Sequence, residues 1–137
     1  MGAWGYQSFE NDDACDWVGN LLDSPGKLKV IQETLQITLK CLVKNQDDAP
    51  ICSTGMAAAE IVAAIHQHSA DRIPHDLKER VLRQKSLEES LVKHTLQVVN
   101  EMETRSELRE LWRESDEFDK WKASVDAIKQ RLLATKA

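Results

Sequence analysis

Beyond Pro74 the chain holds neither glycine nor proline, and this constrains the fold more than any other feature. Nothing there breaks a helix or forces a tight turn, so long helices are expected. The apolar spacing marks them. Leu87, Leu91, Val98 and Met102, with Leu96 and Val99 alongside, define one long helix. Phe118, Trp121, Val125, Ile128 and Leu132 define the last, starting at Ser115 or Asp116. Between them, Thr104 and Glu107 have the spacing of a capping box and predict a short helix through Trp112.

The first half carries its own start and stop signals. Residues 1–8 read as an irregular anchor, in which Gly2 and Gly5 bracket a Trp4 that plugs into the domain. A helix follows from about Phe9 to Asp23, with Ala14, Trp17, Val18 and Leu21 on one face and Glu10, Asp12 and Asp13 in its first turn. Ser24-Pro25 predicts the next helix start, running to about Lys44. That helix has two apolar stripes: Leu28, Ile31, Leu35, Leu39 and Leu42, and Val30, Ile37 and Cys41. Two stripes predict a central position in a bundle. Residues 45–50 read as a polar connection, Ser53 or Thr54 as the cap of a helix reaching His66, and Pro74 or Asp76 as the next start. No alternating strand pattern and no internal repeat is visible. The expectation is an all-α bundle of about five to seven helices, with residues 1–137 forming one domain.

The net charge of −5 argues against nucleic acid as a partner, because phosphates are bound through clustered Lys and Arg. Lys78, Arg80, Arg83 and Lys85 are interleaved with Glu79, Glu88 and Glu89, the pattern of a solvated helix face. No apolar run approaches the ~20 residues of a bilayer span, and no signal peptide is visible, so neither a membrane nor secretion is expected. Cys15, Cys41 and Cys52 are odd in number and far apart, which suits reduced thiols in the cytoplasm.

Few constellations carry chemistry. His66 and His68 are two apart, the wrong spacing for one metal on a helix, and His75 and His94 supply no cysteine partner, so no zinc site and no cofactor is expected. His94 falls on an apolar face between Leu91 and Val98 and reads as a core histidine. Asp16 shares a helical face with both Asp12 and Asp13, an arrangement of like charges that no isolated helix favours. Either Asn11 to Asp13 merely cap the helix while Asp16 takes a distant Arg or Lys, or the acids hold a cation, or they face a partner. Glu60 has Met56, Ala57, Ala63 and Ala64 as its helical neighbours. It either escapes to solvent, bonds a backbone amide or Trp N–H near the N-terminus, or takes part in catalysis.

The opening MGAWGYQSFENDDACDW resembles the N-terminal signature of a mainly bacterial family, the domain of unknown function numbered 4259. The matching positions are Gly2, Trp4, Gly5, Phe9, Asn11, Asp12, Ala14, Asp16 and Trp17. Ala57 to Ala64 and Ser106 to Ser115 are also similar to family segments, and Cys15 stands where an aliphatic residue is usual. The resemblance brings no established activity. It implies that Trp4, Asn11, Asp12, Asp16, Glu60 and the helix start at Ser106–Glu107 recur as one unit, with Asn11 and Asp16 near Glu60 and Trp112.

Two functions compete at this point. The first is a non-enzymatic protein-binding module of the immunity or antitoxin type, occluding a basic toxin or effector through acidic residues such as Glu114, Asp116 and Glu117. The second is a divalent-cation-dependent enzyme or ligand binder using Asp12, Asp16 and Glu60, whose oxygen ligands suit Mg²⁺, Mn²⁺ or Ca²⁺.

Overall fold

Seven helices and no strand make up the described part of the molecule, a computed structural model whose described residues are 5–84 and 86–135. In chain order they are α1 (Asp12–Asp23), α2 (Lys27–Val43), α3 (Ala49–Gln67), α4 (His75–Arg83), α5 (Glu89–Arg105), α6 (Glu107–Arg113) and α7 (Phe118–Leu133). The all-helical single domain expected from the periodicity is therefore present. The Trp4 anchor lies outside the described residues.

The centre of the bundle is α3, which touches each of the other six helices. Its interior run is nearly all small: Gly55, Ala57, Ala58, Ala59, Ala63 and Ala64 are buried. Small side chains let neighbouring backbones approach closely. At Gly55 the approach is at its limit, because a Cβ there would lie 2.5 Å from Thr38 Oγ1 of α2. By length and composition α3 could cross a bilayer, contrary to the expectation that no run is long enough, but 72% of its apolar window is buried among the other helices.

The central position expected for α2 is thus taken by α3. Of the two stripes on α2, Ile31, Leu35 and Leu42 are buried, whereas Ile37 is 56% exposed. The burial of Thr38 beside Gly55 shows why: the side of α2 facing α3 is set by a close backbone contact, and stripe width did not report it.

Several helix starts differ from the sequence expectation, each for a local reason. α1 begins at Asp12, since Phe9 and Glu10 belong to a turn closed by Glu10 N–H donating to Gln7 O. Ser24 ends α1, its N–H donating to Leu21 O, so α2 starts after Gly26 instead. α3 starts before Ser53: Asp48 accepts from Ile51 N at 2.9 Å and Pro50 occupies the first turn, where its missing N–H has no cost. Thr104 is still inside α5, donating to Asn100 O, and Ser106 caps α6 by accepting from Arg109 N at 2.9 Å. Glu117, with no side-chain cap, precedes α7.

Candidate functional site

Glu60 is 1% exposed, in the middle of the most buried helix. An isolated ionised carboxylate there would be strongly unfavourable, so partners must come from elsewhere in the chain. Three do. Ser8 Oγ donates to Oε2 at 2.8 Å. Arg131 of α7 donates from Nη2 to Oε1, and Arg72, in the turn between α3 and α4, holds its Nε 3.3 Å from the same oxygen. Arg131 also donates to Ala127 O, and Arg72 donates to Ser124 Oγ at 3.0 Å. One carboxylate thus sits between two guanidinium groups, and the cluster keeps one surplus positive charge. Escape of Glu60 to solvent is excluded by its burial. Among the described residues its partner near the N-terminus is the Ser8 hydroxyl, and Trp4 lies outside them.

Asn11 joins this network through Ser8. It caps α1 by accepting from Ala14 N at 2.8 Å, and its Nδ2 donates to Ser8 O at 3.4 Å. A cavity of about 20 Å³, room for one water, lies beside it, lined in part by Ser8, Asn11, Ser53 and Trp112. Asn11 is thus linked to Glu60 through Ser8, and Trp112 lines the same cavity as Asn11.

Asp12 and Asp16 do not join them. Both are exposed on α1, so the three carboxylates of the cation reading never face one ion. Among the described residues no three His, Cys, Asp or Glu side chains gather at metal-binding distance. The α6 start lies elsewhere too: Glu107 N donates to Asp47 Oδ2 at 2.8 Å, tying it to the connection between α2 and α3. His94 is partly buried, and its Nε2 has no partner among the described residues.

Cys15 and Cys52 are not activated thiols. Burial pushes Cys52 up to about 12, reinforced by the nearby Asp47 carboxylate, and Cys15 is raised by desolvation and by Asp12 and Asp16. A nucleophilic cysteine needs the opposite shift.

What remains is a sharp imbalance of charge. The first 26 residues contain Glu10, Asp12, Asp13, Asp16 and Asp23 but no Lys or Arg, and so account for the whole formal charge of −5. The rest of the chain is formally neutral. Five of its acids are tied up within their own helices, Glu79 with Arg83, Glu89 with Lys93, Glu101 with Arg105, Glu110 with Arg109 and Arg113, and Asp126 with Lys122, while Glu33, Asp76, Glu107 and Asp119 have no ion pair among the described residues but share their segments with Lys and Arg. Even Glu117 has Lys120 at 3.9 Å, while Glu114 and Asp116 are exposed. Among the described residues, no ion pair involves Asp12, Asp13, Asp16 or Asp23. Sequence reasoning singled out Asp16 but missed Arg72 and Arg131, whose pairing with Glu60 spans 12 and 71 positions and leaves no local pattern.

The fold and this cluster define an all-helical domain built around a buried carboxylate held by two arginines. The chain belongs to the family described as a domain of unknown function (DUF4259), whose model matches residues 2–124. No curated protein and no solved structure matches it.

Proposed function

We propose that this chain is a non-enzymatic protein-binding module, and that the exposed acidic face of α1 is the surface that meets a basic partner. The observation that carries this reading is the stripe of Asp12, Asp16 and Asp23, exposed and without a described ion pair, in a 26-residue segment that holds no Lys or Arg. The helix dipole favours Asp12 in the first turn, but Asp16 and Asp23 lie beyond it and Asp16 is repelled by Asp12, so stability does not explain the full stripe. A concentrated negative face steers a positively charged partner and fixes its orientation. Occlusion of a toxin or effector, the immunity-type role, is the specific form we propose for this binding.

The test is affinity capture from the native cells with the intact chain as bait, at low salt. A stoichiometric basic protein should be retained and should elute between ~50 and ~500 mM salt, as screening weakens exposed charge contacts. The double variant Asp12→Asn/Asp16→Asn should lose it, while Glu114→Gln/Asp116→Asn should keep it. Equal retention by both variants would move the interface away from α1. No stoichiometric partner under any salt condition would overturn the reading.

A further inference from the structure

Beside the Glu60 cluster lies an open notch of about 280 Å³, lined by Tyr6, Gln7, Arg72, Lys120, Ala123 and Ser124. Its charge is opposite to that of the molecule as a whole. Arg72 and Lys120 are both cationic, and no lining residue is acidic. Glu60 does not neutralise the region, since Arg131 already donates to the same carboxylate oxygen that Arg72 approaches. Lys120 has only the loose 3.9 Å contact with Glu117, at an exposed position.

The hydrogen-bond inventory points the same way. Arginine has five N–H donors. Arg72 directs Nε to Glu60 and one Nη2 proton to Ser124, and its Nη1 end has no partner among the described residues. Ser124 Oγ is an acceptor in that bond, so its own proton remains free to donate. Gln7 and Tyr6 also line the notch and carry an amide and a hydroxyl donor.

We infer that this notch binds a phosphoryl group, as inorganic phosphate or as the terminal phosphate of a small metabolite. A planar carboxylate would be satisfied by the arginine fork alone. Here Lys120, Ser124, Gln7 and Tyr6 line the notch beside the arginine and add donors beyond its fork. Three terminal oxygens can accept from more of these donors than a carboxylate's two, and the surplus positive charge of the two-arginine cluster offsets the anion. This site is independent of the α1 surface.

The experiment is a titration of the full chain with sodium phosphate, followed by amide NMR shifts at constant pH and ionic strength, with chloride as the matched control. Gln7, Ala123 and Ser124 should shift saturably with phosphate and not with chloride. Lys120→Ala should weaken binding at least ~3-fold, the loss of one exposed charge-assisted contact. Ala123→Asp, which puts a carboxylate into the notch without touching Glu60, should abolish saturation. Melting without phosphate shows whether both variants stay folded, and both should melt as the wild type does. Shifts that grow linearly, or folded variants that bind as the parent does, would overturn the site. Acetate saturating the same amides as tightly as phosphate would overturn the phosphoryl assignment.

Discussion

The carboxylates of α1 and the carboxylate of α3 solve the same electrostatic problem in opposite ways. Glu60 is enclosed and held by two arginines and a serine drawn from three parts of the chain. Asp12 and Asp16 lie on an open helix face with no described ion pair, repelling one another at a spacing that brings them together. The difference separates what a charge does for the fold from what it can do for a partner. A buried charge whose partners are all internal is committed to structure. An exposed, unpaired charge is a small cost to its own helix and remains available to another molecule.

Breaking the internal cluster should have the largest effect. Glu60→Ala leaves two partly buried guanidinium groups without their shared acceptor, and we expect a loss of ~3–5 kcal/mol in denaturant unfolding. Replacing the whole cluster (Glu60→Leu, Arg72→Met and Arg131→Met together) should recover most of that loss, because apolar packing substitutes well for a buried ion group. A triple variant no more stable than Glu60→Ala would show that the charges do more than neutralise each other.

Next comes the packing that makes α3 central. Gly55→Ala places a methyl against buried Thr38, with Cγ2 at 2.6 Å. Overpacking of this kind costs ~1–3 kcal/mol and outweighs the gain in helix propensity of up to about 1 kcal/mol. Pairing it with Thr38→Ser removes Cγ2 and should return part of the lost melting temperature. An unchanged melting temperature for Gly55→Ala alone would mean that α2 and α3 can separate without penalty.

These two sites show how far the sequence could be read. The helices themselves followed from apolar spacing, and the start of α6 was misplaced by only two residues, because Thr104 and Ser106 are both competent caps. The misjudged centre is more instructive. α2 is rich in large apolar residues, whereas α3 gains its position through small ones, and closeness of approach does not register as hydrophobicity. Glu60 stood out because its helical neighbours are apolar. Its arginines did not, since ion pairs across the tertiary fold obey no spacing rule.

A third test uses pH. The folded Cys52 thiol lies at about 12 against an ordinary 9.0, because burial disfavours the thiolate. Its stabilising contribution is complete below pH 9 and is lost as pH rises from there toward 12. Wild type should lose up to ~1.4 kcal/mol per pH unit more than Cys52→Ala in that window. Parallel stability curves for the two proteins would place the thiol in a wetter setting than its burial implies.

The smallest effect belongs to the outer face. Removing the repulsion with Asp16→Asn, which leaves the dipole-favoured Asp12 in the first turn, should raise stability by ~0.2–0.5 kcal/mol at low salt, and less at high salt. A marked loss on equilibrium unfolding would instead reveal a structural use for this charge and collapse the contrast with Glu60.

The bond between Glu60 and Arg131 also bears on the order of events in synthesis. The two residues are 71 positions apart, so a ribosome makes the carboxylate several seconds before the second of its two guanidinium partners. Until α7 emerges, Glu60 has Arg72 and Ser8 but not Arg131, and Arg72 lacks its Ser124 acceptor, so the cluster is incomplete and closure of the helices already made is less favourable. Glu60 thereby couples the final packing of the centre to the arrival of the last helix.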